Sequence, residues 1–321
     1  MPTLDELFSA SRAGDAIAAR RLLEASPQLA LERGRHPAWG GEPTALHVAV
    51  ENERSDIVRL LLDAGADPNP PSESYDGWTP LLIAATREAA PIVQLLLTRG
   101  ARVGAWEAAA LGDVVKLAVL LDDAPTLVAA RGPNDAPPLH FAATVGLARF
   151  LIERGAPVDA VDKYGSTAAR TAAYSRPRRA VAQYLMRETG ERDAWLLAAV
   201  DDVAGLAKLN EAGVDVCTAY RDGINPASSF GETPLHTAAA LGNVAAVELL
   251  LRLGARPDGG ARDATPLHYA AKLGSREMVD TLLAAGADAR RRDGEHRATP
   301  ADWARFFGNF QLAAYLEEVE A

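Results

Sequence analysis

The segment Thr233-Pro234-Leu235-His236-Thr237-Ala238-Ala239-Ala240-Leu241-Gly242 begins with a tetrapeptide that recurs along this chain. The same Thr-Pro-Leu-His occupies residues 265–268, 32 residues later, and each copy is followed 18 residues after its histidine by Gly-Ala. Related tetrapeptides begin at Thr44, Thr79 and Pro137. A repeat of fixed length in this range indicates a solenoid, in which each unit packs only against its neighbours.

The chemistry of one unit indicates two helices joined by a tight turn. Thr233 can cap the exposed amides of the first helix, and Pro234 suits the first helical position because it has no N–H to satisfy. A second helix follows with apolar residues at helical spacing over residues 244–251, and Gly254 ends it because glycine readily adopts the left-handed conformation. The pattern predicts an all-α solenoid whose unit is a helix, a tight turn, a second helix and a loop.

These features together resemble ankyrin repeats. The resemblance rests on the Thr-Pro-Leu-His start, the Ala-Ala pair, the Leu-Leu run, the terminal Gly-Ala-Asp and an Asp-x-x-Gly before the next threonine, as in residues 162–167. It implies L-shaped units whose β-turn fingers or loops project at right angles to stacked antiparallel helix pairs. It also implies that the finger tips and the exposed face of the first helix are the variable, partner-contacting positions.

Some units lack the Thr-Pro start but align with one another. Residues 7–30 match residues 105–128 without a gap, and a third copy begins at Ala194. Each of these degenerate pairs precedes two more regular ones, which indicates a super-repeat of three units. We predict a single domain over residues 1–321, with super-repeats over about 1–103, 104–192 and 193–298 and a C-terminal cap over 299–321.

Ten helix pairs are expected, counting the degenerate units and the caps. The fifth is irregular, because 15 residues separate His140 from Gly155 where its relatives have 18. We place the three missing residues at the start of its second helix. The pairs begin near residues 4, 44, 79, 104, 137, 167, 194, 233, 265 and 299.

The composition limits the class of partner and the location. The chain carries 43 acidic and 33 basic residues, whereas a nucleic-acid groove needs an excess of basic residues on one face. Cys217 is the only cysteine, so no intramolecular disulfide can form, which favours a reducing compartment. No apolar run approaches the roughly 18 residues of a membrane span. We expect a cytoplasmic monomer that binds neither nucleic acid nor a membrane.

The histidines are the first candidates for chemistry, since four of the six share one repeat position. Equivalent positions of a solenoid lie about 8–10 Å apart, whereas zinc holds its nitrogen ligands at about 2.1 Å. We therefore expect each imidazole to bond to its own turn and to the next loop. No phosphate-binding loop, zinc-protease helix or nucleophile elbow occurs, so no catalytic site, cofactor or metal is predicted and the chain is not expected to be an enzyme. The four histidines are His47, His140, His236 and His268.

Large or charged side chains at the variable repeat positions are the candidate partner contacts. Aromatic residues and arginine anchor many interfaces because they bury a large area, and Trp78 and Tyr164 are the strongest candidates. Each candidate can instead pack against a neighbouring finger, and Trp106 and Trp195, which share the position of Phe8, are assigned to the core. The candidates are Tyr75, Trp78, Arg87, Lys163, Tyr164, Tyr174, Tyr220, Phe230, Glu232, Leu241, Arg262 and Lys272, and the first-helix face also offers Glu51 and Phe306.

Three connections are longer than a regular finger needs, namely residues 27–43, 68–77 and 213–231. Long ordered loops on a rigid scaffold often carry recognition, and flexible insertions are the alternative.

Three functions are compatible with this sequence. The first is a non-enzymatic interaction module that holds a partner protein or peptide on its concave face and finger loops. The second is a self-associating structural or regulatory subunit. The third is an enzyme with a small-molecule site near residues 130–190, although the sequence shows no convergent polar residues there.

Overall fold

The structure is a computed structural model, and it describes residues 2–35, 41–70, 75–218, 233–259 and 264–320. These described residues form nineteen α-helices and no strand, which confirms the predicted all-α class. The chain divides into two compact units, Met1–Lys163 (unit 1) and Tyr164–Ala321 (unit 2). The predicted super-repeat boundaries differ from this division, and both the super-repeat and the single domain stay predictions.

Unit 1 contains four complete helix pairs and a fifth whose first helix is replaced by a 3₁₀ turn. First helices stack on first helices, and the second helices pack behind them. The helices are α1 (Leu4–Ala13), α2 (Ala16–Ala25), α3 (Ala45–Glu51), α4 (Ser55–Asp63), α5 (Pro80–Thr86), α6 (Ala90–Thr98), α7 (Ala105–Leu111), α8 (Val114–Asp123) and α9 (Val145–Glu153), and 3₁₀ turns occupy Pro27–Ala30, Pro125–Ala129, Pro133–Asp135 and Pro138–Phe141.

Unit 2 contains five helix pairs that stack in the same way, first helix on first helix. Each pair begins within a residue or two of the predicted position. The helices are α10 (Ala168–Ala173), α11 (Arg179–Thr189), α12 (Ala194–Ala199), α13 (Val203–Glu211), α14 (Pro234–Leu241), α15 (Val244–Arg252), α16 (Pro266–Leu273), α17 (Arg276–Ala284), α18 (Pro300–Phe306) and α19 (Phe310–Glu320), with a 3₁₀ turn at Arg176–Arg178.

The core of each unit combines buried alanines of the first helices with large apolar side chains from both helices of each pair. Ala49 of α3 and Ala271 of α16 have no exposed surface, which is how neighbouring first helices approach closely. Ile57 and Leu61 of α4, one helical turn apart, are fully buried, as is Leu250 of α15. Each such side chain contributes about 1.5–3 kcal/mol to stability.

The aromatic residues assigned to the core occupy it. Phe8 and Trp195 are buried, as predicted. Trp106 is half-buried and donates its indole N–H to the carbonyl of Ala136 at 3.0 Å. A Cβ at residue 132 would lie 2.3 Å from the Trp106 ring, so only Gly132 allows this approach.

A buried histidine joins three of the layers, those of α3, α14 and α16, to the finger that follows. The backbone N–H of Thr44 donates to Nδ1 of His47 at 3.1 Å, so Nε2 carries the ring proton and donates to the carbonyl of Trp78 at 3.2 Å. His268 makes the same two contacts, accepting at 3.0 Å from the N–H of Thr265 and donating at 3.0 Å to a finger carbonyl, that of Ala298. His47 and His268 thus make the bonds predicted for them, whereas Nδ1 of His140 accepts no hydrogen bond from its own turn, because Pro137 has no N–H.

His236 completes this set of relays. It accepts from the N–H of Thr233 at 3.2 Å and is hydrogen-bonded to the backbone of Ala264. Burial lowers the pKa of His47 and of His236 from 6.5 to about 4, and it also lowers the pKa of His268. The fold therefore holds the neutral imidazoles, and unfolding allows them to take up protons. Their contribution to stability is complete above about pH 6.5 and is lost as the pH falls from there towards 4.

In two of the layers where another residue replaces the histidine, the same helical position still makes a link. Glu107 accepts from the N–H of Gly104 at 3.1 Å, and its other oxygen accepts from the hydroxyl of Thr79 at 2.7 Å, so this link runs back to the preceding layer. Arg170 donates Nε to Glu191 at 2.7 Å, which lies in the loop leading to the next pair.

The fifth pair differs from the prediction about where its residues are missing. Its second helix, α9, has nine residues, like α4 and α6, so it has lost none. The first helix is shortened instead, to the 3₁₀ turn Pro138–Phe141. Pro137 stands where other pairs have threonine, and it has neither an N–H for the histidine nor a hydroxyl for the cap. Thr144 then caps α9 directly, accepting from the N–H of Leu147 at 3.2 Å.

We expect His236→Leu to lower the free energy of unfolding by about 1–3 kcal/mol near neutral pH, because it deprives two buried backbone groups of their partner. This chain itself carries leucine at the equivalent positions 82 and 196. The gap in unfolding free energy between wild type and variant should shrink as the pH falls from 6.5 towards 4. Unfolding lets His236 take up a proton in this range, which destabilises the wild type, whereas leucine takes up none. Urea titrations followed by circular dichroism at several pH values measure both effects. His296→Gln, in an exposed finger, is the control, and a difference that stays constant with pH contradicts this account.

Candidate functional site

One repeat position is polar in two layers of unit 1 and apolar in the last three layers of unit 2. It is the residue before the turn that joins the two helices of a pair, at the exposed end of the first helix. In unit 1 this position holds Asn52 and Arg87 in the second and third pairs, and the partly buried Leu111 in the fourth. In unit 2 it holds Leu241, Leu273 and Phe307, in three consecutive layers.

Apolar side chains stand at the same end of three neighbouring first helices in unit 2. We call Leu241, Leu273, Phe306 and Phe307 the apolar stripe. It crosses α14, α16 and α18, which pack side by side. Leu273 is 37% exposed, Phe307 45% and Phe306 84%. Sequence reasoning selected Leu241 and Phe306 but missed Leu273 and Phe307, which one further step along the same repeat position would have found.

Phe307 of the stripe packs on Trp303, which packs in turn on Tyr269. Trp303 lies edge-on to Tyr269 of the preceding layer at 5.7 Å between ring centroids and 6.1 Å from Phe307. Its indole N–H donates to Oδ2 of the buried Asp293 at 2.7 Å. Burial alone would raise the pKa of Asp293, but the hydrogen bonds from Trp303 and from the His296 backbone outweigh burial and lower it. The charged carboxylate therefore orients the Trp303 ring, and Phe307 packs against that ring.

Lys272 provides a cation at the edge of the stripe. Its ammonium lies 4.9 Å from the centroid of the Phe307 ring, within the range of a cation–π contact. The side chain is exposed, so the charge also faces solvent. This predicted candidate therefore borders the apolar stripe.

In unit 1, two of the predicted aromatic candidates serve packing. Tyr75 donates its hydroxyl to Glu51, and its ring lies 5.3 Å from that of His47. Burial and the neighbouring Glu51 raise the pKa of this phenol. Trp78 lies edge-on to Phe141 at 5.6 Å. These contacts favour packing within the fold over partner binding for Tyr75 and Trp78, the alternative that the sequence left open.

Trp78 also takes part in a junction between fingers. Its indole N–H donates to Oδ1 of Asn134 at 3.2 Å, and the backbone N–H of Asn134 donates to the carbonyl of Asp76 at 3.3 Å. Lys163 donates its backbone N–H to the Asn134 carbonyl at 2.8 Å and pairs its ammonium with Asp76 at 2.6 Å. The fourth pair begins at Gly104 without an intervening finger, so its neighbours meet across it.

Asn134 was not predicted, and its backbone explains its identity. It has a φ of 57°, and Asp135 has the same value. Asparagine and aspartate tolerate this left-handed conformation better than other non-glycine residues. The segment belongs to the region near residues 130–190 that the sequence left open for an enzymatic site. In unit 1 its polar groups are used to join fingers.

Seven predicted candidates remain, of which the structure describes three. Arg87 is exposed at the end of α5 in unit 1. In unit 2, Tyr164 is 55% exposed and Tyr174 37%. Tyr220, Phe230, Glu232 and Arg262 lie outside the described residues, as do parts of the long connections.

Reactive side chains do not cluster in the part of the chain that the structure describes. No three His, Cys, Asp or Glu side chains among the described residues converge as metal ligands would. Burial raises the pKa of the Cys217 thiol, which disfavours the reactive thiolate. None of the described helices combines the length and the apolar character that crossing a bilayer requires.

Comparison with known families identifies the repeat. The family described as "Ankyrin repeats (3 copies)" matches residues 7–105 and 201–293, and the one described as "Ankyrin repeat" matches residues 134–163. The matched residues make up more than half of the chain.

Individual relatives share parts of this sequence. The rice (Oryza sativa subsp. japonica) protein named probable E3 ubiquitin-protein ligase XBOS33 is 44% identical over 93 residues, which are 29% of this chain and 17% of that protein. The rice protein named probable E3 ubiquitin-protein ligase XBOS32 is 29% identical over 251 residues, 78% of this chain and 38% of that protein. The chain thus spans well under half of these relatives. The human ASB11 ankyrin repeat domain is 19% identical, with 96% of each chain covered and a TM-score of 0.30.

We expect Trp78→Ala to lower the free energy of unfolding by about 2–4 kcal/mol, because it removes both the ring packing and the bond to Asn134. Trp78→Phe keeps the packing on Phe141 and should cost about 1 kcal/mol. Thermal and urea denaturation measure these changes. Tyr164→Ala is the comparison and should stay within about 0.5 kcal/mol, as expected for an exposed side chain. Equal effects of Trp78→Ala and Tyr164→Ala would count against a packing role for Trp78.

Proposed function

Because this chain belongs to the ankyrin-repeat family, we propose that it acts as a non-enzymatic protein-binding module. A partner protein, or a peptide segment of one, docks on the apolar stripe of unit 2, and the adjacent fingers line the edge of the contact. The module works by presenting a rigid surface rather than by chemistry.

Three consecutive apolar layers at the repeat position before the inter-helix turn carry this proposal. Unit 1 shows that the scaffold accepts polar residues there, such as Asn52 and Arg87. The leucines and phenylalanines of unit 2 are therefore not a requirement of folding. Scattered apolar residues are normal on a protein surface, but a contiguous patch marks a site of interaction. Aromatic side chains such as Phe306 and Phe307 are typical anchors of such sites.

The names of the rice relatives bear on the question of catalysis. Both are named as probable E3 ubiquitin-protein ligases, and the shared segment covers 17% of one and 38% of the other. The ligase activity in those names belongs to the whole proteins. We propose that the repeats of this chain supply binding only.

The location and the assembly state are part of the same proposal. The single cysteine, Cys217, supports a reducing cytoplasm. The excess of acidic residues supports protein partners over nucleic acid. We propose a cytoplasmic module that is monomeric when its partner is absent.

Charge substitutions in the stripe test the proposal. Phe306→Asp and Leu273→Asp should each weaken the partner about tenfold or more, because a carboxylate cannot enter a desolvated contact. Affinity purification with mass spectrometry identifies the partner, and biolayer interferometry measures its affinity. Ile17→Asp is the matched control, since Ile17 of α2 is 85% exposed and Phe306 84%. A partner that binds the stripe variants as well as wild type contradicts the proposal.

Self-association is the second candidate, and one residue favours it. Phe310, the first residue of α19, is 68% exposed in the last pair of unit 2. A second copy of the chain could cover it.

Light scattering over a concentration series decides between the two. If the protein is a hetero-binding module, the mass stays that of the monomer at every concentration, and Phe310→Asp does not change it. A mass that rises with concentration in wild type and not in Phe310→Asp supports self-association instead.

A further inference from the structure

The geometry of the apolar stripe points to the kind of segment that it binds. We propose that it receives an amphipathic α-helix of the partner, with an apolar residue at every seventh position and acidic residues along the flank that faces the fingers. The inference rests on the proposed function, because it assumes a protein partner at the stripe.

The spacing of the stripe favours a helix over a β-strand. Leu241, Leu273 and Phe307 occupy one position in three consecutive layers, and packed helices lie about 8–10 Å apart. Residues seven apart in an α-helix lie on one face and are separated by about 10.5 Å. Residues on one face of a β-strand recur at about 6.7 Å and 13 Å, which misses the layer spacing. A helix crossing α14, α16 and α18 can therefore place one side chain in each layer.

The stripe also offers protruding rings on which an apolar helix face can pack. Phe306 projects beside Phe307, and the two rings meet edge to face at 5.1 Å. Phe307 is in turn held by Trp303 and by the cation of Lys272. The anchor at α18 is thus rigid before the partner arrives, which reduces the entropy lost on binding.

Positive charge around the stripe favours a partner helix with an acidic flank. Lys272 borders the stripe, and Arg291 and Arg297 are exposed on the finger that precedes α18. In the described part of the chain, none of these three cations lies within ion-pair distance of a carboxylate. The finger cation of unit 1 is different, because Lys163 is paired with Asp76 at 2.6 Å. Unit 2 therefore keeps positive charge available for a partner.

The finger and the stripe lie at opposite ends of one helix, which orients the partner. Trp303 is hydrogen-bonded to Asp293 of the finger and stands one turn before Phe306 and Phe307 in α18. A bound helix that seats its apolar face on the stripe therefore turns one flank towards the finger arginines. Acidic residues on that flank meet Lys272 and the arginines, whereas basic residues would be repelled.

Three helical peptides of about 22 residues test both parts of the inference on the full-length chain, since two layer spacings need about 14 residues of helix. The first carries leucine at every seventh position and glutamate on one flank. The second has the same composition with the leucines moved off one face. The third replaces the glutamates by lysine. Circular dichroism checks that their helix contents match, and fluorescence anisotropy measures binding.

We expect the first peptide to bind about tenfold more tightly than either of the others. Phe307→Asp should abolish this binding, Ile17→Asp should leave it unchanged, and Lys272→Glu should reduce the preference for glutamate over lysine about tenfold. Equal binding of the first two peptides overturns the helical spacing. A glutamate preference that Lys272→Glu does not change overturns the charge assignment. No measurable binding of any peptide overturns the inference as a whole.

The other occupants of the stripe are distinguishable outcomes. Concentration-dependent dimerisation that Phe307→Asp prevents assigns the stripe to a second copy, and cosedimentation with anionic phosphatidylserine vesicles assigns it to a membrane. Either result overturns the inference. If the purified partner binds the stripe through an extended or basic segment, the inference fails while the proposed function stands. If the partner ignores the stripe variants, the proposed function itself fails.

Discussion

A buried imidazole with both nitrogens hydrogen-bonded is the interaction on which the layered architecture depends. His47 and His268 each satisfy an amide at the start of their own helix and a carbonyl in the following finger. A buried polar group is costly unless it is bonded, so the imidazole stabilises the fold only when the next finger is in place. Each histidine therefore makes the order of one layer depend on its neighbour. Glu107 and Arg170 preserve the link with other chemistry where the histidine is absent.

Irregular layers make the surface of unit 1 different from that of unit 2. The fourth pair has no finger, and the neighbouring fingers close over it through Asn134, which bonds to Trp78, Asp76 and Lys163. This junction uses charged and aromatic groups that would otherwise face solvent. In unit 2 the corresponding large side chains are on the first helices instead, where Phe306 is exposed. Similar residue types thus serve packing in one unit and form a surface in the other.

The number of helix pairs and their first residues could be predicted because the signals are local. A threonine cap, a proline at the first turn and a terminal glycine act within a few residues of each other. The shortened fifth pair shows the limit of this reasoning. The sequence shows that three residues are missing between His140 and Gly155, but not which helix loses them. The outcome depended on Pro137, which cannot take part in the relay, and on Thr144, which caps α9 early.

The sequence by itself determined the all-α class, the repeat family, the starts of the pairs and the structural role of the histidines, because each follows from short-range chemistry repeated at a fixed spacing. Only the tertiary structure decided which aromatic residues pack and which face solvent. Trp78 and Asn134 are 56 residues apart in the chain, and no local pattern relates them. Leu241, Leu273 and Phe307 likewise become one surface only when their layers stack. Exposure depends on contacts between distant residues, and the fold alone brings those residues together.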